Sequence, residues 1–385
     1  MLIWPNDGAD LFSVEREIND YFDHNPPVYT NFTGKVAGFI FWEIVINNKQ
    51  ACDITNLAGV DGIDPDLNDE GVIREPTKVM ERAPPFATQT QALSELRRLS
   101  QPKAVSDLEK VQNYVFDENA GAKTYVYLLD DGINTVPVDL RDRVAPDPIV
   151  AGSKRRDEND MVDRSPFGHS TCAASKACGL RYGVAKSATC IAAKTGRLIG
   201  DSAKVWSMIA DDIEQRDGGI RKKAVVNYSQ SRSLRPTGSI KRHWLNVAAT
   251  MTKIMNNDVP IVAASGNHAG TPGHTQAIDV YPQRWSKDDF PLINVGGTTP
   301  DGQRSRTGGG PAPSNKLGTS FGAPQVTGML AYFLSLDLPP FNTDDGKVSL
   351  NALNFLKNTA SYPRADGGPN MAWNLVTEAE NPPTV

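Results

Sequence analysis

From residue 124 onward the chain alternates short apolar strands with helices, and this alternation constrains the fold more than any other feature. Thr124 to Leu129 reads as a buried strand, Ser170 to Ala177 as an alanine-rich helix, and Ala188 to Ala193 as a second strand. Ala203 to Gln215 carries Val205, Ile209 and Ile213 on neighbouring helical turns. Ala224 to Tyr228 is a strand and Ile240 to Asn256 a helix, followed by strands at Pro260 to Ala264 and Leu292 to Val295. Gly322 to Leu336 is a long apolar helix. Strands this apolar must be covered on both faces, so the pattern predicts an α/β fold with a doubly wound, mostly parallel sheet. In such sheets function gathers beyond the carboxyl ends of the strands.

The first seventy-odd residues follow a different rule and predict a small α+β unit. Leu11, Val14, Ile18 and Phe22 recur at helical spacing behind Asp7 and Asp10, which suit a helix start. Gly38 to Ile46 is aromatic and β-branched, hence a strand. Asn47 to Ala58 suits a second helix closed by Gly59, and Val60 to Ile63 a short strand. Beyond them, Pro76, Pro84 and Pro85 lie among many charges, a composition suited to an exposed linker. The expected division is a unit over 1–75, a linker with a processing site over 76–90, a main domain over 91–375 and a tail over 376–385.

Bulk properties exclude several function classes. Forty Lys and Arg against 45 Asp and Glu leave a net charge of -5, with no basic excess to neutralise nucleic-acid phosphates. No apolar run approaches the roughly 20 residues that span a bilayer. Val36 to Ile46 comes nearest and is broken by Gly38 and Glu43. The opening M-L-I-W-P-N-D lacks the basic start and apolar core of a signal peptide. Three of the four cysteines, Cys172, Cys178 and Cys190, fall in the main domain and Cys52 outside it, so pairing stays open.

The strongest local signal for chemistry is L-G-T-S-F-G-A-P-Q-V-T-G, from Leu317 to Gly328. Ser320 suits the start of a helix, with Pro324 in its first turn. Gly318, Gly322 and Ala323 clear more space than an ordinary cap needs, and the N–H groups at a helix start favour negative charge. A serine that must form an oxyanion gains from such a place. G-T-S-F-G also fits the nucleophile elbow of α/β-hydrolases, but that arrangement needs its His after the Ser. His24, His169, His243, His268 and His274 all precede Ser320, so that reading fails.

His169, between Gly168 and a small-residue helix, is the best candidate for a base. His243 lies in a basic stretch, and His268 and His274 lie in a Gly/Pro-rich loop. Asp130 ends the strand Y-V-Y-L-L, where a carboxylate can fix the tautomer of the imidazole. The order Asp, His, Ser is the order of subtilisin.

Four motifs carry a resemblance to the subtilisin-like serine proteases. Y-V-Y-L-L-D-D-G-I-N resembles the Asp motif, and G-H-S-T-C-A-A-S followed by Y-G-V-A-K-S-A the His motif. V-A-A-S-G-N resembles the oxyanion-asparagine motif and G-T-S-F-G-A-P-Q-V-T-G the Ser motif. The spacing from His169 to Tyr182-Gly183-Val184-Ala185-Lys186, and the stretch Tyr114 to Lys123, look like the proteinase K branch. The resemblance covers about Ala87 to Asn374.

It implies a serine endopeptidase in which Asp130 orients, His169 is the general base, Ser320 the nucleophile and Asn267 the oxyanion donor. Ser229, Gln230 and Ser231 would wall the first specificity pocket, opposite Ala264, Ser265 and Gly266. It further implies protein or peptide substrates, secretion, no required cofactor and room for structural calcium with no ligands assigned. The N-terminal unit resembles the family's propeptide, an intramolecular inhibitor released by cleavage in the linker. Arg97-Arg98 is the dibasic alternative for that cleavage.

The chain also departs from the family pattern. Ser170, after the His, and Ser175 stand where Gly is usual, and Asp131 stands where most relatives carry Thr or Ser. Ser229-Gln230-Ser231 replaces the commoner S-L-G, and the stretch from Val295 to Ser320 is short. Ser170 and Ser175 are expected to crowd His169 and slow the enzyme. The rival expectation is a catalytically impaired member of the family that serves as a binding or inhibitory module.

Overall fold

The computed structural model describes residues 1–6, 8–23, 27, 29–33, 40–54, 56–64, 86–151, 160–165, 168–196, 198–230, 241–267, 278, 280–299, 302–303, 318–364 and 370–384. Ser231, His268, His274 and most of the expected linker lie outside these residues.

The N-terminal unit contains β1 (Leu2–Pro5), α1 (Leu11–Tyr21), β2 (Tyr29–Thr33), β3 (Ile40–Ile44), α2 (Asn48–Ile54) and β4 (Val60–Asp64). Its strands form an antiparallel sheet in the order β2-β3-β1-β4. Asp10 starts α1 by accepting from Phe12 N–H and from the Ser13 hydroxyl. Alternation along the strands then sorts the side chains by face. Ile3, Trp42 and Ile44 pack with Val14 and Ile18 of α1 and with Ile54 of α2. Leu2, Trp4 and Phe41 point the other way, into the core of the main domain.

The main domain begins with β5 (Phe86–Gln89), α3 (Ser94–Leu99) and β6 (Tyr114–Asp117). Residues 86–90, assigned to the linker from composition, do not behave as one. Phe86 to Gln89 pair with β6, and Ala87, Thr88 and Gln89 are buried. There follow β7 (Tyr125–Asp130), β8 (Ile149–Val150), α4 (His169–Cys178), β9 (Thr189–Lys194), α5 (Ile199–Gln215), β10 (Ala224–Tyr228) and α6 (Lys241–Asn256). The chain ends with β11 (Ile261–Ala264), β12 (Ile293–Val295), α7 (Ala323–Ser335), α8 (Val348–Asn358) and the hairpin β13 (Ser361–Pro363) and β14 (Asn370–Ala372).

Six strands form one sheet in the order β12-β11-β10-β7-β9-β8, every pair parallel. Val126, Leu128, Cys190 and Ala192 face α4, α7 and α8 on one side. Tyr127, Leu129, Ile191 and Ala193 face α5 and α6 on the other. The strand order reverses between β7 and β10, which places a crevice beyond their carboxyl ends.

Two contacts fix α4. A disulfide joins Cys178, at its end, to Cys190 of β9, while Cys172, buried on the same helix, is not in a disulfide. Gly328 lets α7 come close: a Cβ there would lie 2.6 Å from the Ala177 carbonyl oxygen.

The main domain also receives the small unit along α5 and α6. Lys204 of α5 pairs with Glu43 and lies over the Phe41 ring, and Arg242 of α6 pairs with Asp61. Among the described residues, no helix is long and apolar enough to cross a membrane.

Candidate active site

Asp130 is the last residue of β7, held between β9 and β10 at the strand-order reversal. The turn after it needs Gly132, which has φ of +111° and packs so closely that a Cβ would meet the Met161 carbonyl at 2.5 Å. His169 opens α4 behind Gly168, whose φ of +67° is left-handed. The imidazole Nδ1 lies 2.9 Å from Asp130 Oδ2, and both side chains are buried.

Asp163, which sequence reasoning did not single out, holds the start of α4. Its carboxylate accepts from the Thr171 N–H at 2.8 Å and the Thr171 hydroxyl at 2.6 Å, and from the N–H and hydroxyl of Ser165. The signal for it was an acid shortly before a helix start, a common capping pattern.

Ser320 lies in the single tight turn Thr319–Phe321 that leads into α7, and it is 8% exposed. Its hydroxyl donates to the Ser229 carbonyl at 2.9 Å. The Ser229 hydroxyl donates to the Ser320 carbonyl, also at 2.9 Å, and accepts from Asn227 Nδ2. Phe321 sets its ring 5.4 Å from the imidazole. A Cβ at Gly322 would lie 2.8 Å from the Gly296 carbonyl, so the turn tolerates no larger residue there.

Asn267 follows β11 and is exposed. Its Oδ1 accepts from the Thr319 N–H at 2.8 Å and the Thr319 hydroxyl at 3.1 Å. With the oxygen held in this way, Nδ2 is the group left to donate. A Cβ at Gly318 would lie 3.6 Å from that nitrogen, at ordinary van der Waals distance.

The charges support one another. Burial alone would push the Asp130 carboxyl up, but His169, a hydrogen bond from Ser170 and the Asp131 N–H outweigh it, and its pKa is lowered. Burial likewise pushes His169 down, and the charges of Asp130, Asp163 and Asp131 overcome it, leaving its pKa raised.

Ser229 and Gln230 follow β10, and Ala264, Ser265 and Gly266 end or follow β11. A residue not identified from sequence ties these two walls together. Gln283 Nε2 donates to the carbonyls of Gln230 and Ala264, each at 2.8 Å. Nothing local marks Gln283, because its role exists only once the two strands lie side by side.

The serines at the two glycine positions point to different places. Ser175 lies by Asp139, whose carboxylate accepts from the Arg181 N–H at 2.6 Å, near the far end of α4. Ser170 meets the turn after β7, where its Oγ accepts from the Asp131 N–H at 2.8 Å. Among the described residues no three His, Cys, Asp or Glu side chains gather where they could hold a metal ion.

No protein-family model matches the chain. It is 28% identical over 265 residues to the subtilisin-like protease 2 of Trichophyton rubrum, a match covering 65% of this chain and 60% of that protein. The chain thus spans less than two thirds of that relative's length. Its fold is similar to a cold-adapted subtilisin-like serine proteinase, with a TM-score of 0.53 at 19% identity over 75% of this chain and 98% of the other. It is also similar to a serine-to-alanine mutant of the epidermin leader-peptide-processing serine protease of Staphylococcus aureus. That likeness has a TM-score of 0.62 at 13% identity, over 99% of this chain and 98% of the other. In sequence the chain is similar to subtilisin-like proteases, and in fold to subtilisin-like serine proteases.

Proposed function

We propose that the protein is a serine endopeptidase acting through an acyl-enzyme, with Asp130, His169 and Ser320 as its triad. The observation that carries this reading is the buried 2.9 Å contact between Asp130 and His169, beside a serine at the head of α7. A peptide substrate lies along the ends of β10 and β11, against Ser229, Gln230, Ala264, Ser265 and Gly266. The Ser320 hydroxyl turns from the Ser229 carbonyl to the imidazole, and Oγ attacks the scissile carbonyl. His169 Nε2 takes the proton and passes it to the leaving amine, while Asp130 steadies the imidazolium. Asn267 Nδ2 donates to the oxyanion. Water then repeats the steps in reverse and releases the acid.

The N-terminal unit acts as an intramolecular inhibitor, freed by cleavage within residues 65–85. Its seating on α5 and α6 supports this role. The dibasic alternative is disfavoured, because Arg98 is 9% exposed and Arg97 donates to the carbonyls of Leu108 and Val111.

One observation favours the binding-module reading: the Ser320 hydroxyl hydrogen is committed to the Ser229 carbonyl. A fluorophosphonate label separates the two readings. An active enzyme is phosphonylated at Ser320, Ser320→Ala takes no label, and the active form begins within 66–86. Failure of the wild-type protein to label or to hydrolyse peptides removes the enzyme reading. An active chain that keeps its N-terminus removes the inhibitor reading.

A further inference from the structure

The two departures on either side of the catalytic carboxylate belong together. Asp131 has no hydroxyl to offer its neighbour Asp130, and Ser170, next to His169, has one. In the fold these positions meet at one atom group. The Asp131 N–H reaches both Asp130 Oδ1, at 2.9 Å, and Ser170 Oγ, at 2.8 Å. Ser170 is 0% exposed, so its hydroxyl hydrogen needs an acceptor inside the protein. A hydroxyl that accepts from the Asp131 N–H keeps its own proton to donate, and the Asp130 carboxylate, which shares that N–H with it, is the acceptor at hand.

We propose that Ser170 is a positioning residue for the catalytic carboxylate, bringing a hydroxyl to it from the His169 helix. This replaces the crowding expected of Ser170 from sequence. The side chain cross-links the start of α4 to the end of β7, the two elements that bring His169 and Asp130 together. Two contacts then join those elements, one through the imidazole and one through the hydroxyl. Without the hydroxyl, Asp130 keeps its charge but loses a donor that fixes which oxygen faces the imidazole. The O–H dipole also places its positive end near Asp130 and His169. Removing it makes the imidazolium easier to form.

The proposal rests on the triad reading, and its test has one arm that does not. In the processed enzyme, Ser170→Gly and Ser170→Ala are expected to lower kcat about tenfold, with KM unchanged within about twofold, since a hydrogen bond to a charged group is lost. The acid limb of kcat/KM moves to higher pH. Adding Asp131→Ser to Ser170→Gly restores most of the loss, because the hydroxyl returns from the other side of the same carboxylate. A variant destabilised by helix glycine alone shows no such rescue.

The second arm is NMR titration of His169 in the full chain, in which Ser170→Ala raises the imidazole pKa whether or not peptides are cleaved. An enzyme as fast as wild type after Ser170→Gly, no rescue by Asp131→Ser, or an unmoved His169 titration overturns the proposal. Absence of hydrolysis in wild type bears on the triad reading alone.

Discussion

Ser320 and Ser229 hold each other by two reciprocal hydrogen bonds, each hydroxyl donating to the other's backbone carbonyl at 2.9 Å. The pair ties the turn before α7 to the end of β10, so the proposed nucleophile is linked to the strand proposed to carry substrate. It also gives the hydroxyl a resting partner other than the base, an arrangement common before substrate tightens a site.

Ser229→Ala is expected to destabilise the protein by about 1–3 kcal/mol, because it leaves the buried Asn227 amide and the Ser320 carbonyl each short of a partner. Ser320 keeps its own donation, since that acceptor is backbone. Urea denaturation measures the loss, and an unchanged midpoint contradicts the cross-link.

Asn267→Ala is expected to lower kcat by about 10²–10³ while leaving KM nearly unchanged. That magnitude comes from removing such a donor in subtilisin itself rather than from this geometry. The amide meets charge that exists only in the transition state, so ground-state binding is spared. Steady-state kinetics decide, and a rise in KM at constant kcat would exclude the role.

The acid limb of hydrolysis is expected above the ordinary histidine value of 6.5, because the carboxylates around His169 outweigh its burial. Only the neutral imidazole accepts the serine proton, so activity falls as pH drops through the raised value. Asp163→Asn removes one of those charges and moves the limb to lower pH. For folding the sign is opposite: the His169 contribution is full below the unfolded value and is lost as pH rises through the folded one. A pH-rate profile of both proteins tests this, and superimposable limbs refute it.

Asp130, His169, Ser320 and Asn267 stand out in the sequence because each sits in a short motif whose residue types answer a chemical need, and the fold brings Asp130 to His169 and Asn267 to the turn of Ser320. The strands of the main sheet were legible for a similar reason, since apolar runs of that length need cover on both faces. The linker was overextended to residue 90 because Phe86 to Gln89 is polar by halves and becomes a strand only against β6. Helix α8 was not read, although Val348, Ala352 and Phe355 share its buried side. Gln283 and Ser170 were beyond sequence reasoning in another sense. Their partners are carbonyl and carboxylate oxygens far along the chain, and no local pattern announces them.

Lys186 gives a prediction about stability that does not involve the active site. Its ammonium donates to the carbonyls of Leu180, Arg181 and Gly183, at 3.1, 3.3 and 2.9 Å, with the rings of Tyr114 and Phe116 alongside. Burial pushes its pKa down to about 7, against partial support from Asp139. Between about 7 and the ordinary 10.5 the unfolded chain binds a proton that the folded chain does not, so its contribution to stability rises with pH across that window. Lys186→Met removes this rise. Denaturation midpoints of both proteins at pH 6 and pH 9 measure it, and a constant difference between them is the adverse result.

Gly328 lies along α7 beyond Ser320, yet the alignment of the proposed base and nucleophile passes through it. α4 starts with His169 and ends near Ala177; α7 follows Ser320 and carries Gly328 against the Ala177 carbonyl. The two helices are levers with their working ends in the crevice and their fulcrum at that contact. The smallest side chain added at the fulcrum spreads the levers, and a misplacement of about 1 Å at the tips can cost roughly a hundredfold in rate. The registration of base and nucleophile is therefore written partly in a glycine that touches neither.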